Sequence, residues 1–485
     1  MDKIKKIIVS IIGFFRNLFK KNEKVTEPVI EPTVNVEKNE TINQETEPVI
    51  IEVESINNPI DQDKLKHGEI GGYLMYDKTK TELTSEVVQH IKDLGVNILY
   101  INTPRYKANP ITFEEWLSIF DLFKDSGIKL LIYIYEAVSM TPKWTNEQIK
   151  TISNHEAFYG WIGEDEVSYK SYTYGNTWIK KFYSYKWSDG TRKWPNIAVC
   201  YYPKIETLST DLVGENYSEY LNLWANDIDI AHADMYPFIS DRTNNAHYNI
   251  DDDGKAIHSN AEGEEKWFEY LKEHCDFNNR YPNITHRLYL NTCKHVAKSN
   301  DKLYIARPKP TDLTVKIQAY ANLLSGSNGL MMFVLNDITS NNSGFSEAPF
   351  NGTLEVNTNP YDIIKNVFTS NEFINYKNII VNLKVDNVLF GENIKTTNFI
   401  SNNENKLLTS IAHNNEYTYC TVLNTSLEKD VEIIINNDIF IVDLNKLTER
   451  KIDSNEKYIL KPGNILFLKR TNEQIAQYIK SQKQQ

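Results

Sequence analysis

Cysteine is scarce in this 485-residue chain: Cys200, Cys275, Cys293 and Cys420 are the full set, and no Cys-x-x-Cys occurs. That spacing gives no support to a zinc ribbon or a disulfide framework. Long apolar runs are missing too. The first candidate, Ile7 to Phe15, stops at Arg16, too short to span a bilayer and without a small-residue cleavage site after it. Basic runs are absent beyond residue 24 and the net charge is -12, which argues against nucleic acid as a partner. A glycine-rich phosphate turn is lacking as well: in "GEIGGYL" the glycines open the first strand-like segment instead of following it, so a doubly wound nucleotide fold is poorly supported. No motif calls for a cofactor. His232 and Asp234, two apart, could share a metal ion, but no third ligand stands near them, and a structural or sugar-contacting pair is the competing reading.

What is present begins with "MDKIKKIIVSIIGFFRNLFKK", residues 1–21. On a helical wheel Ile4, Ile8, Ile11, Phe15 and Leu18 share one side, while Lys3, Lys6, Arg16 and Lys20 take the other. This is a basic amphipathic helix, suited to a membrane interface or to docking on a partner. Residues 22–65 are acidic, repeat "TEPVI" and hold no period, which reads as a disordered tether. Together they predict a membrane-associated or cell-surface protein, with the side of the membrane left open.

From residue 66 to about 377 short apolar segments alternate with amphipathic helices. Eight strands are expected, at 70–77, 97–103, 129–137, 158–166, 196–202, 229–238, 287–293 and 329–337. "TSEVVQHIKDLG" and "TFEEWLSIFDLFKDSG" each begin at a threonine cap and end at glycine. Eight strands with helices between them predict a (β/α)8 TIM barrel. Chemistry in such a barrel sits at the C-terminal strand ends. Those ends offer Asp77, Thr103 with Arg105, Glu136, Asp165 with Glu166, Tyr201 or Tyr202, Asp234 with Tyr236, Asn291 or Thr292, and Asn336 with Asp337. Acids, amides and phenols suit hydroxyl-rich neutral ligands and proton transfer. The 29 tyrosines and 8 tryptophans are compatible with sugar stacking or with an ordinary core; Trp161 and Tyr236 are the aromatics expected nearest a substrate.

The acids cluster in "HEAFYGWIGEDEV", residues 155–167. This stretch resembles the fourth-strand motif H-P-x-x-x-G-W-x-x-x-D-E-P of clan-A-type glycoside hydrolase barrels. "RPKPTDLTVKIQAYANLLSGSNGLMMFVL" resembles a second segment of the same barrels, matching at Arg307, Pro308, Pro310, Leu313, Gln318, Ala319, Tyr320, Gly326, Gly329 and Leu330. The resemblance implies a glycosidase with Glu166 as general acid and Asp165 as its motif neighbour. A solvated acidic turn is the competing reading. Strand alternation would put Glu164 and Glu166 on one side and Asp165 on the other. Glu156 and Val167 stand where the family usually has proline. Strand seven, "RLYLNTCKHV", supplies no second carboxylate, so double displacement lacks its nucleophile. Asp234, Asp337 and Glu136 are the candidate second acids, with Asp234 as a water-activating base.

Residues 378–470 read as short strands with Asn and Gly turns, an antiparallel β-sandwich that either braces the barrel or binds sugar. Residues 471–485 are a polar tail. The expected function is hydrolysis of a glycosidic bond in a surface or extracellular polysaccharide. The alternative is a non-catalytic barrel that binds glycans for adhesion or recognition.

Overall fold

Strand and helix signals alternate through the middle of the chain, and in three dimensions the alternation closes on itself. The computed structural model describes residues 68–103, 110–139, 142–169, 179–202, 216–234, 236–237, 261–299, 302–339, 343–391, 399–401, 407–436, 439–475 and 477. The expected amphipathic helix, the tether, Arg105 and residues 478–485 of the tail lie outside the described residues.

The barrel strands are β1 (Glu69–Met75), β2 (Ile98–Asn102), β3 (Lys129–Tyr133), β4 (Phe158–Val167), β5 (Ile197–Tyr201), β6 (Ile230–Ala233) and β7 (Thr285–Asn291). A hairpin follows, β8 (Lys294–Ser299) and β9 (Lys302–Arg307), and then the eighth barrel strand, β10 (Gly329–Phe333). All eight are parallel, and β1 pairs with both β2 and β10, which closes the ring. Parallel neighbours need crossover connections. The helices that make them include α1 (Ser85–Asp93), α2 (Phe113–Phe123), α3 (Ile134–Val138), α4 (Asn146–Ser153), α5 (Tyr217–Asn222), α6 (Ala261–Arg280) and α7 (Asp312–Leu324); α8 (Thr358–Phe368) and α9 (Asn371–Ile380) come after β10.

Local chemistry sets the helix ends. Thr112 and Glu115 form a reciprocal capping box at the start of α2, with Glu115 N donating to Thr112 Oγ1 at 3.2 Å and Thr112 N donating to Glu115 Oε2 at 2.7 Å. Gly127 ends that segment at φ +82°, a conformation costly for residues with a Cβ. Between these limits Trp116, Ile119, Phe120 and Phe123 recur at helical spacing and are buried against the barrel. Each such burial contributes about 1.5–3 kcal/mol. One expectation fails locally. The third strand stops at Tyr133 and turns into α3, so Glu136 is helical. Between α8 and α9 the Ser370 hydroxyl accepts from Phe373 N at 3.2 Å and starts the second helix.

The barrel is filled, not hollow. At its N-terminal end Arg287 is fully buried and donates to Glu69 Oε2 at 2.8 Å through Nε, while Tyr159 donates to Glu69 Oε1 at 2.6 Å. Gly71 leaves room for Met331, whose sulfur would lie 1.9 Å from any Cβ built there. Above lies a layer of tyrosines. Tyr73 and Tyr100 meet edge-on at 4.4 Å between ring centroids, Tyr100 and Tyr133 at 5.4 Å, and Tyr73 and Tyr289 at 6.5 Å.

Three further sheets lie outside the barrel among the described residues. β8 and β9 join β11 (Ile338–Thr339) and β12 (Ser343–Ser346) in a four-stranded antiparallel sheet absent from the sequence reading. The C-terminal sandwich packs a six-stranded sheet, β13 (Lys384–Phe390), β15 (Leu407–His413), β16 (Tyr417–Asn424), β21 (Ile465–Thr471), β18 (Ile439–Asp443) and β19 (Thr448–Ile452), on a three-stranded one, β14 (Ile400–Ser401), β17 (Val431–Ile435) and β20 (Lys457–Leu460). It docks on the helical layer: the Phe268 and Phe390 rings stack at 3.6 Å, and Asn279 Nδ2 donates to Val385 O at 2.8 Å. No described helix is long and apolar enough to cross a membrane.

Candidate active site

β4 carries the acids, and it is irregular where they sit. Its pairing with β5 shifts between Ile162 and Glu164 and again between Glu164 and Val167. Such bulges re-aim side chains, so the simple alternation expected for Glu164 to Glu166 does not hold. Glu166 adopts φ +54°, a left-handed conformation that a long side chain holds only when its surroundings impose it. The imposing contacts come from α5. The Tyr220 hydroxyl donates to Val167 O and accepts from Tyr202 N, the latter at 2.9 Å. Tyr217 donates to Tyr202 O at 2.9 Å. One short helix thereby pins the ends of β4 and β5.

Asp165 turns into the barrel, where its Oδ2 accepts from the Tyr133 hydroxyl at 3.0 Å. The tyrosine layer forms the floor beneath it. The hydroxyls of Tyr100 and Tyr289 in that floor are buried and have no hydrogen-bond partner among the described residues.

A second carboxyl follows β6. Val167 pairs with Tyr201, and Tyr201 with Ala233, so Glu166, one residue before Val167, and Asp234, one residue after Ala233, both lie at the C-terminal strand ends with a single strand between them. Two strand spacings keep their backbones at least about 10 Å apart. Asp234 is 9% exposed and its Oδ1 has no partner among the described residues. Burial, then the charge of Glu166, push its carboxyl well above the usual range, while Arg307 pulls the other way. Glu166 is raised by burial and then by Asp165, again against Arg307. Glu166 is exposed, so a ligand in solvent can reach it. Two carboxyls in this relation lose their protons in sequence: after the first has gone, its charge holds the second.

Tyr202 and Tyr236 border the pair. The Tyr202 phenol is pushed up to about 12 by burial and by Glu166 and Asp234. Tyr236 is buried, with the Arg307 guanidinium 3.6 Å above its ring.

The remaining expected site residues lie elsewhere. Trp161 is fully buried on the outer side of the barrel against Trp144 and Trp194, at 6.3 and 5.0 Å between centroids, so it belongs to the helix–strand core. Glu136 is buried beneath α2, accepting from Thr103 Oγ1 and from Trp116 Nε1, the latter at 3.3 Å. Asp77 closes a turn by accepting from Thr79 N at 3.1 Å. Asp337 ties the loop after β10, accepting from Ala348 N at 2.9 Å and Asn357 Nδ2 at 3.2 Å. Asn291 is buried and donates to Pro308 O at 3.3 Å. His232 lies one layer below Asp234, 3.0 Å from Arg287 Nη1, and burial holds it neutral. Among the described residues no group of three or more His, Cys, Asp or Glu gathers to hold a metal.

Sequence reasoning quoted Arg307 only as part of a motif and passed over Tyr217 and Tyr220. The hairpin that delivers Arg307 was legible as two alternating runs around Asn300–Asp301. At the end of β7 Cys293 is fully buried, and its thiol, pushed up to about 12 by burial, is no nucleophile.

On the sandwich a hollow of about 470 Å³ lies between β18–β21 and Glu372. Its polar groups are largely engaged within the chain: Asn464 Oδ1 accepts from Lys316 at 3.0 Å and Glu372 Oε1 from Tyr320 at 2.8 Å.

No family model matches the chain, and no curated protein matches it. Solved structures share its fold. A catalytic mutant of Gan42B, a GH42 β-galactosidase from G. stearothermophilus, superposes with a TM-score of 0.50 at 8% identity, covering 84% of this chain and 98% of that one. The β-galactosidase from Bacillus circulans sp. alkalophilus gives 0.48 at 9% identity over 84% and 99% of the two chains. Abp-WT, a GH27 β-L-arabinopyranosidase from Geobacillus stearothermophilus, gives 0.47 at 11% over 84% and 97%. At such identity the likeness speaks to fold alone: an eight-stranded parallel barrel followed by C-terminal antiparallel sheets, as expected from the sequence.

Proposed function

We propose that the chain hydrolyses a glycosidic bond in a surface or extracellular polysaccharide, with Glu166 as proton donor and Asp234 as the base that activates water. The observation that carries this reading is the pair itself: two carboxyls at the C-terminal strand ends of the barrel, each raised first by desolvation, with one strand between them. Glu166 is the member that reaches solvent, where a leaving oxygen can meet it; Asp234 lies deeper, where a water can be held. A spacing of about 6.5–9.5 Å between carboxyls belongs to inversion, and about 5–5.5 Å to retention. The intervening strand β5 keeps the two backbones at least about 10 Å apart, which supports the wider range. The lack of a carboxylate on β7 agrees with a mechanism that needs no nucleophile.

The reverse assignment has two observations in its favour, the greater burial of Asp234 and the larger upward push on its carboxyl. Aryl glycosides separate the two. Replacing the donor spares substrates whose leaving group needs no proton, whereas replacing the base does not. Glu166→Gln is expected to lose about 10²–10⁴-fold on a natural glycan and far less on a nitrophenyl glycoside. The same pattern in Asp234→Asn would reverse the roles. Binding of glycan by all three forms without release of sugar would replace hydrolysis by recognition.

We further propose that residues 1–21 hold the barrel at a membrane surface, on the strength of their basic amphipathic pattern. Flotation with anionic liposomes tests this: loss on deletion of residues 1–21 supports it, and equal flotation of both forms rules it out.

A further inference from the structure

Arg307 is placed where its donors have no internal use. It ends β9, and its guanidinium lies 3.6 Å over the Tyr236 ring and 5.5 Å from the Phe333 ring. It is close enough to Glu166 and Asp234 to depress both carboxyls, yet it makes no ion pair or hydrogen bond with any described residue, and its Nη1 is buried. Stacking fixes a guanidinium as a flat fork, and that fork matches a carboxylate through two parallel N–H···O bonds. A buried donor without an acceptor is costly. Asp234, whose carboxyl Arg307 depresses, likewise has an Oδ1 with no partner among the described residues.

The setting adds a second argument. A cation beside a proton donor makes the donor a stronger acid and lowers the share that holds a proton at neutral pH. An anion brought by the ligand cancels that effect. The segment that delivers Arg307 is itself basic in an otherwise acidic chain: Lys294, Lys298, Lys302, Arg307 and Lys309 face one acid, Asp301, over residues 294–309.

We propose that Arg307 is a specificity-determining residue that pairs with the carboxylate of a uronic acid next to the bond to be cut. The substrate class is therefore an acidic, uronate-containing polysaccharide. This rests on the hydrolytic reading above and deepens it.

The experiment uses the full chain on matched polymers: a uronate polysaccharide, the same polymer with its carboxyl groups reduced to alcohols, and a sulfated neutral polysaccharide. Released reducing ends and retention on the immobilised polymers are both read, for wild type, Arg307→Gln, Arg307→Lys and Glu166→Gln. Wild type is expected to prefer the uronate polymer over its reduced form by on the order of 10–100-fold in kcat/KM. In Arg307→Gln the preference falls to near unity, mainly through KM. Arg307→Lys, which keeps the charge but not the fork, falls between; melting curves confirm that each variant is folded. Equal action on the uronate and reduced polymers, with Arg307→Gln unchanged, overturns the inference and leaves hydrolysis standing. Preference for the sulfated polymer overturns the carboxylate class. If no form releases sugar from any polymer, the hydrolytic reading fails. Retention then decides: Arg307-dependent retention on the uronate polymer upholds carboxylate recognition, and equal retention of wild type and Arg307→Gln overturns it.

Discussion

Asp234, just past β6, and Glu166, near the end of β4, stand at the barrel mouth with β5 between them, and each is held above the usual carboxylate range with the other's charge or that of Asp165 among the causes. Neither has an ion-pair partner among the described residues, and Arg307 acts on both from a distance. That relation has consequences for stability as well as for chemistry.

Stability is expected to depend on pH through Asp234. Between its ordinary value of 3.8 and its raised native value, the native chain binds more protons than the unfolded one. Stability therefore falls as pH climbs through that window. Asp234→Asn removes the effect. The stability of the variant minus that of wild type should rise with pH across the window and level off above the native value, as read by denaturant melts at a series of pH values.

Tyr220 is expected to act through others. Its hydroxyl joins the ends of β4 and β5, and it touches neither acid by any hydrogen bond. Tyr220→Phe should lower stability by about 1–3 kcal/mol. It should also reduce kcat with little change in KM, because Glu166 is released from its imposed backbone conformation. An unchanged kcat in a destabilised variant would make Tyr220 a brace for the strands alone.

The charge pair at the opposite end of the barrel should matter to folding only. Arg287 is fully buried, and Glu69 is its carboxylate. Glu69→Gln leaves an uncompensated buried cation, at a cost of about 3–5 kcal/mol. Guanidinium denaturation measures that loss, while product anomer and polymer preference stay as in wild type.

Trp161 separates core from site. Its indole is enclosed by Trp144, Phe158 and Trp194 on the helix side. Trp161→Phe should lower the melting temperature and leave retention on glycan unchanged. A loss of retention at equal stability would return Trp161 to the sugar site.

The barrel was legible because its signals are local. Apolar runs of strand length, threonine caps and terminal glycines recur with a period that only a βα repeat satisfies, and the structure places all eight strands within a few residues of the expected positions. The acids of β4 were legible as types but not as directions: alternation fails at two bulges, and a bulge depends on pairing with β5, which no local pattern encodes. Trp161 and Glu136 were misplaced for a related reason. Period two says that neighbours face opposite ways, not which way is inward, and β3 ends four residues before the pattern suggested. Arg307 ends β9, whose hairpin partner β8 is local and was legible, but β8 is held by β12, distant in sequence, and that pairing no local pattern encodes.

The most direct test of the two-acid site is the anomeric form of the first product. The full chain is incubated in D₂O with a polysaccharide or aryl glycoside that it cuts, and the anomeric proton signals are followed by NMR before mutarotation. With Asp234 activating water against a bond protonated by Glu166, the first sugar released carries the inverted configuration. Release of the retained anomer would require a nucleophile that neither Asp234 in this role nor the end of β7 provides, and would contradict the pairing.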